Sequence, residues 1–193
     1  MIAATNKSGL KKLSAMIEDK TVSMPEKVRS IARVYVDHIQ GLTAQITEMT
    51  EAMKAVAKTS TVMKRLQTVP GVGLQTAMAI ETFAPDLTWF TRGRDFSAWL
   101  GLVPKQNSTG GKSRLGKVSK MGQVDIRSHL IRGAMSVITA ASRFGVKKGS
   151  WLERILARKP KLVAAITLAN RMARAIWAMM TKNEDYQNPE AVA

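Results

Sequence analysis

Several features common in proteins are scarce or missing in this 193-residue sequence, which has no cysteine and only 5 % aromatic residues. Without cysteine the chain forms neither disulfides nor thiolate metal sites, in keeping with a reducing compartment. The best apolar run, residues 162–169, is far shorter than the roughly 20 residues of a membrane span, and no secretory signal is visible. We therefore expect a cytoplasmic protein without a membrane anchor.

Acidic residues are few relative to basic ones. The chain has 30 Lys and Arg against 14 Asp and Glu, a formal net charge of +16. Residues 92–174 hold eighteen of the bases and only three of the acids. This imbalance predicts a polyanionic partner, DNA or RNA in preference to a membrane surface, and places the cationic surface in the second half of the chain.

What is abundant favours helices. Frequent Met, Ala and Leu with few aromatic residues are typical of a mainly α protein rather than a sheet sandwich. We predict a lead-in at residues 1–22, a long coiled-coil helix at 23–65, a compact helical domain at 66–182 and a polar, frayed tail at 183–193.

The coiled-coil prediction rests on a stripe of residues spaced alternately by four and three, which is typical of a seam of about five heptads. Ser23, Pro25 and Glu26 form a helix-start signal before it. A stripe this narrow needs a partner helix, so we expect a homo-oligomer; one long helix of an ordinary bundle is the alternative. The stripe consists of Val28, Ala32, Tyr35, Ile39, Leu42, Ile46, Met49, Met53, Val56, Ser60 and Met63.

Residues 66–80, LQTVPGVGLQTAMAI, place two glycines between apolar helical anchors. Glycine adopts positive φ at no steric cost, so we predict a tight helix-to-helix hairpin. The backbone N–H groups of Gly71, Val72 and Gly73 would point outward at the start of the second helix and cradle a phosphate. The alternative is a structural turn that binds nothing.

Residues 101–122 are rich in glycine and basic residues and lack helical or strand periodicity over most of their length, although a short hairpin is possible at 113–119. A long loop in a compact domain is usually functional or disordered. Ser108 lies in its middle, and by composition alone a serine in such a loop is most often a turn former.

Apolar residues around this loop are predicted to be core anchors. We expect Trp89, Phe90, Phe96, Trp99 and Leu100 to pack inside rather than to stack on bases. The following helix, from residue 123 to about 143, should bury Val124 among others and direct Arg127 and Arg132 outward. The last helix should begin at Pro160 and bury Leu162.

Three consecutive parts of the sequence resemble the C-terminal transposase domain of the IS110 family of bacterial insertion sequences, with its helix-hairpin-helix and Ser-Thr-Gly-Gly motif. They are the 66–80 segment, the block WLGLVPKQNSTGGKSRLGKVSKMG at residues 99–122 and the Arg-rich helix after it. The resemblance covers roughly residues 60–182. Transposases of this family combine a RuvC-like domain with four acidic metal ligands, a coiled coil and this Ser-bearing domain.

This resemblance implies a DNA recombinase guided by a structured RNA, with Ser108 as the nucleophile that forms a phosphoserine link to DNA. Magnesium would be held by the acidic domain. No such acidic half is visible in this sequence, so we expect no metal ligand or cofactor here and no recombination by this chain alone. The nucleic-acid-binding residues would be Gly71, Val72, Gly73, Lys105, Thr109, Gly110, Gly111, Lys112, Arg114, Lys117, Lys120 and Arg127.

Two other functions fit parts of the sequence. A non-catalytic DNA- or RNA-binding module derived from a transposase would share the charge and the hairpin but form no covalent adduct with DNA. A helical scaffold that only oligomerises would explain the stripe but leave the charge of the second half without a role.

Overall fold

The computed structural model describes residues 7–107 and 115–188, and these are mainly helical, as the sequence predicts. Two units make up the chain, residues 1–52 and 53–193. In chain order the elements are α1 (Lys7–Glu18), α2 (Glu26–Thr59), α3 (Thr61–Leu66), α4 (Leu74–Phe83), a 3-10 turn (Leu87–Trp89), α5 (Gly93–Trp99), β1 (Pro104–Gln106), β2 (Leu115–Val118), α6 (Val124–Phe144), α7 (Trp151–Leu156) and α8 (Lys161–Lys182).

In the first unit a buried arginine joins α1 to α2. The Arg29 guanidinium donates hydrogen bonds to the backbone oxygens of Ile17, Asp19 (3.0 Å) and Val22 (2.9 Å). These carbonyls lie at and just after the end of α1, where no intrahelical donor remains. Arg29 therefore caps α1 from a neighbouring helix and fixes the chain reversal between the two.

The long helix is confirmed, but it is shorter than predicted. It ends at Thr59, and Ser60 begins α3 by accepting a hydrogen bond from the Met63 backbone N–H at 3.0 Å. The last predicted stripe residue, Met63, is fully buried in α3 instead of continuing a seam. The helical stripe therefore stops within α2.

The second unit is built around α6 and α8, which pack against each other, with α4 lying on α6 and α5 on α8. Small residues bring α8 close to its neighbours, because Ala164, Ala165, Ala169 and Ala173 are all fully buried. Removal of this apolar surface from water is the main stabilising contribution, at about 25 cal/mol per Å².

Three core predictions in this unit are wrong. Trp89 is 78 % exposed, Val124 is 54 % exposed and Leu162 is 58 % exposed. All three lie at helix or turn ends, where the apolar face of an element runs past its packing partner. The predictions for Phe96 and Leu100 are confirmed, since both are fully buried.

The first residues after α8 are not frayed. Asn183 accepts a hydrogen bond from Arg65 at 2.9 Å, and the Tyr186 backbone N–H donates to the Thr68 hydroxyl at 3.0 Å. The segment 183–188 thus lies along the end of α3.

Candidate nucleic-acid interface

The turn between α3 and α4 is fixed by a backbone-to-backbone contact with α6. Gly71 has φ +87°, in the left-handed region that favours glycine. A Cβ added to Gly71 would lie 2.8 Å from the Gly133 oxygen, and one added to Gly133 would lie 2.0 Å from the Gly71 oxygen. Neither position accepts a side chain unless the turn moves away from α6.

Gly73, two residues later, is in a different situation. Its φ of −91° and ψ of −178° are open to any residue, and a Cβ there would meet nothing within 4 Å. Gly73 is the N-cap of α4, with no side-chain hydrogen bond to the helix, and it is exposed. The N-cap position of α4 is therefore exposed and carries no capping side chain.

Val72 does not join this open face. Its side chain is 5 % exposed, and its backbone N–H donates to the Val69 oxygen at 2.9 Å inside the turn. The predicted three-residue phosphate cradle is therefore wrong for Val72, because closing the turn uses this amide. The Gly73 amide and the first amides of α4 have no intrahelical acceptor, as at any helix start.

The glycine-rich segment is flanked by two antiparallel strands. Pro104 pairs with Val118 and Gln106 with Leu115, so β1 and β2 form a short hairpin. Lys105 on β1, Lys117 on β2 and Lys120 just after it are all exposed. The remaining predicted residues of this site lie outside the described residues: Ser108, Thr109, Gly110, Gly111, Lys112 and Arg114.

The segment of residues 101–122, which carries β1 and β2, is called the β1–β2 excursion. Its two ends pass each other closely, and we call this close approach the crossing. A Cβ on Gly101 would lie 1.9 Å from the Met121 oxygen, and one on Gly122 would lie 1.8 Å from the Trp99 oxygen. Both glycines have positive φ, +70° and +85°. Such an approach is open only to glycine, so the crossing fixes where β1 leaves the helical core and β2 returns to it.

Arg127 reinforces this crossing, and the prediction that it faces outward is wrong. Its side chain is 8 % exposed, and its guanidinium donates to the Leu100 oxygen at 3.0 Å and the Met121 oxygen at 3.1 Å. These carbonyls belong to the two ends of the segment that carries β1 and β2, so one guanidinium links both ends. Arg127 therefore holds the two ends of the β1–β2 excursion together, and nothing in its contacts supports a role at the nucleic-acid surface.

Two further contacts, both made by α8, have no signal in the sequence. Asn170 of α8 donates to the Leu102 oxygen at 3.0 Å, tying the start of the excursion to the core. Arg171 lies with its guanidinium carbon 4.9 Å from the ring centre of Trp151, so it is a cation–π partner of α7. For the contact between Gly133 and Gly71, the sequence does carry a signal: a glycine within a helical pattern often marks a close approach of another backbone.

Among the described residues, no group of three or more His, Cys, Asp or Glu side chains could hold a metal ion. Within the same residues, none of the helices has the length and apolarity that crossing a bilayer demands.

The two hairpins and α6 lie almost entirely within residues that match one family model. Residues 63–146 match the family model described as Transposase IS116/IS110/IS902 family. The chain carries a transposase domain of this family. The match begins within α3 and includes the α3–α4 turn, the β1–β2 hairpin and the whole of α6. The crossing at Arg127 and the Gly71–Gly133 contact therefore both belong to the transposase domain.

The similarity to curated relatives extends beyond the residues of this domain. The chain is 35 % identical over 175 residues to a protein of Pseudomonas aeruginosa described as a probable family 20 transposase, with 91 % of this chain and 52 % of the relative covered. It is 33 % identical over 175 residues to the transposase for insertion sequence element IS1111A of Coxiella burnetii, covering 91 % and 48 %. The chain spans about half the length of the curated relatives it matches.

Proposed function

We propose that this chain is the DNA-binding, nucleophile-bearing part of an insertion-sequence transposase. The observation that carries the proposal is the open start of α4, beside a turn that Gly71 and Gly133 hold in place. The net charge of +16 and the transposase names of the relatives support DNA as the partner.

The proposed contact of the α3–α4 hairpin is a DNA phosphate. Helix N-termini bind anions because their first N–H groups lack intrahelical partners and carry the positive end of the helix dipole. At Gly73 neither backbone strain nor internal crowding requires glycine. A glycine that the fold does not need is explained if a phosphate approaches the backbone there.

The proposed chemistry begins at Ser108. Its Oγ attacks the phosphorus of a DNA phosphodiester, its proton passes to a base, and one bridging P–O bond breaks. The leaving oxygen keeps the bonding electron pair and takes up a proton, while the phosphate stays on the serine as an ester. Attack on this ester by a hydroxyl of another strand would complete an exchange without net loss of phosphodiester bonds.

The basic residues around Ser108 would stabilise the charge that develops on phosphate during this step. Lys105, Lys117 and Lys120 are exposed on and beside the hairpin. We include Lys112 and Arg114 from the sequence pattern, and we assign Arg127 to holding the hairpin.

Two partners belong to the proposal. The described residues do not fit a magnesium site, so we propose that any metal ligands come from the acidic domain of a complete enzyme, and no step above uses a metal. We also propose that exposed apolar residues of α2 pair with a second copy of the chain, and that a structured RNA directs the choice of DNA.

The test is formation of a covalent protein–DNA adduct. A complete enzyme that combines this chain with an acidic domain would be incubated with DNA carrying an element end and with the element's RNA, then denatured and resolved by electrophoresis. We expect a labelled adduct for the parent and for Ser113→Ala, and none for Ser108→Ala.

The matched serine distinguishes loss of the nucleophile from damage to the segment. An undiminished adduct with Ser108→Ala would remove this residue from the mechanism. If the parent binds DNA in a salt-dependent manner but forms no adduct in any such complex, the chain is a non-catalytic nucleic-acid-binding module instead.

A further inference from the structure

The end of α6 and the segment around α7 form a second cationic surface. Residues 143–161 carry seven Lys and Arg against one acid. None of them belongs to the α3–α4 hairpin or the β1–β2 hairpin, and all seven are exposed. We name the 143–161 surface by these cations: Arg143, Lys147, Lys148, Arg154, Arg158, Lys159 and Lys161.

The single acid of this surface is already engaged with the backbone. The Glu153 carboxylate accepts a hydrogen bond from the Gly149 N–H at 2.6 Å, while the Glu153 N–H donates to the Ser150 hydroxyl at 3.2 Å. This pair of bonds starts α7, and the contact between Arg171 and Trp151 holds α7 on α8. The surface is therefore positive, and α7 in its middle is held on α8.

An aromatic ring lies at one edge of this surface. Phe144, the last residue of α6, is 88 % exposed, and Gly145 with φ +89° ends the helix directly after it. Burying a phenylalanine side chain is worth about 1.5–3 kcal/mol, so leaving the ring in water forgoes that stabilisation. Lys147 and Lys148 follow within four residues.

The position along α6 separates this surface from the proposed hairpin site. Gly133, which contacts the hairpin turn, lies eleven residues before Phe144, or about 16 Å along the helix axis. Arg127, below the β1–β2 hairpin, lies six residues on the other side of Gly133, about 9 Å away. A phosphate at the start of α4 and a base at Phe144 would thus be separate contacts.

We infer that the 143–161 surface is a second nucleic-acid site that binds an unpaired strand. Every base has a flat face that can stack on an aromatic ring, and exposed lysines beside the ring follow the phosphates. A duplex hides its base faces, so an exposed Phe144 among cations favours an unpaired strand over a duplex. This site requires neither Ser108 chemistry nor the α3–α4 hairpin.

The test measures fluorescence anisotropy of labelled strands mixed with the full chain. The probes are oligo(dT), oligo(rU) and a mixed-sequence duplex, each about 20 nucleotides or base pairs long, which exceeds the site size of one binding domain. We expect Phe144→Leu to weaken binding of the unpaired strands by about 5-fold or more, as loss of one stacked base does. Phe144→Trp keeps a stacking ring and should bind within about 2-fold of the parent.

A paired-lysine comparison tests the cations. Lys147→Ala with Lys148→Ala should lower the slope of log affinity against log salt by about 1.4, the value for two single-strand phosphate contacts. Lys11→Ala with Lys12→Ala removes the same charge from exposed positions of α1 and should leave the slope close to that of the parent.

Each outcome decides the inference. Equal affinity of Phe144→Leu and the parent for both unpaired strands, or equal losses from the two lysine pairs, would overturn it. A loss for the unpaired strands with little change for the duplex supports it, and a larger loss for oligo(rU) or for oligo(dT) identifies RNA or DNA as the natural strand. Failure of Ser108 to form an adduct would leave these results unaffected.

Discussion

Most large apolar side chains of α2 face water, whereas most of those in α6 face inward. Val34, Ile46 and Met49 of α2 are 68 %, 63 % and 67 % exposed, whereas Ile126, Leu130 and Ile138 of α6 are fully buried. Both helices carry periodic apolar residues, so the periodicity alone does not say where they pack. The compact unit supplies its own partners, and α2 leaves a stripe that a second chain can cover.

The difference between the two regions is clearest at their mid-helix glycines. Gly41 of α2 has nothing within 4 Å of an added Cβ, while Gly133 of α6 would place that atom 2.0 Å from the Gly71 oxygen. We expect Gly133→Ala to destabilise the compact unit by about 3 kcal/mol or more, since the turn must move off α6. Chemical denaturation measures this change.

Gly41→Ala is the matched control. Replacing an unconstrained helical glycine by alanine adds about 0.5–1 kcal/mol of stability, so this variant should resist denaturant at least as well as the parent. If both variants shifted stability in the same direction and by the same amount, the Gly71–Gly133 contact would not be what fixes the hairpin.

The next largest effect is expected at Arg127. Arg127→Met removes the donor to the Leu100 and Met121 carbonyls, which should cost about 2 kcal/mol or more. Arg132→Met on the same helix removes an exposed arginine and should change stability by less than about 0.5 kcal/mol. Comparable losses in thermal unfolding for the two variants would contradict the bracing role.

On α2 the expected loss is in association rather than in folding. Ile46→Asp places a charge in the exposed stripe, so we expect self-association to weaken by about 10-fold or more in sedimentation equilibrium, from the lost apolar burial. Gln45→Asp adds the same charge to an adjacent exposed position off the stripe and should retain most of the association. A parent chain that stays monomeric at all concentrations would rule out pairing through α2.

The smallest effect concerns Asp86, at the start of the 3-10 turn. The Thr88 backbone N–H and hydroxyl both donate to its carboxylate, at 2.9 and 2.7 Å, and hold its pKa below the ordinary 3.8. A lowered pKa stabilises the fold above the ordinary value, and this contribution is lost as pH falls through the folded-state pKa. The Tm difference between the parent and Asp86→Ala should be present at neutral pH and vanish in strong acid; a constant difference would contradict this.

The sequence predicted the helices and turns better than it predicted which of their residues are buried or exposed. The long helix, the two-glycine turn and the positive φ of Gly71 follow from local spacing and from the conformational freedom of glycine. The end of α2 at Thr59 was missed because Ser60 continues the apolar spacing while its hydroxyl caps the next helix. At Ser60 the spacing of the stripe indicates a continuing helix, whereas the capping hydroxyl indicates the start of a new one.

The surface residues were harder to predict because exposure depends on tertiary packing. Arg127 is a residue type common at DNA contacts, yet it is buried because the crossing at Gly101 and Gly122 brings two backbone carbonyls to its guanidinium. Phenylalanine is a residue type common in protein cores, yet Phe144 lies beyond the last packed turn of α6. Neither fact follows from the local sequence, because both depend on what packs against α6.

The central claim is that the uncovered start of α4 binds a DNA phosphate, and Gly73 offers its most direct test. Both Asp and Ser are good N-caps at the φ and ψ of Gly73, so Gly73→Asp and Gly73→Ser should fold at least as stably as the parent. Only Asp adds a negative charge where the phosphate would lie. We expect duplex DNA to bind Gly73→Asp about 10-fold or more weakly than Gly73→Ser, a difference of about 1.4 kcal/mol. Equal affinity of the two variants for duplex DNA would contradict the claim.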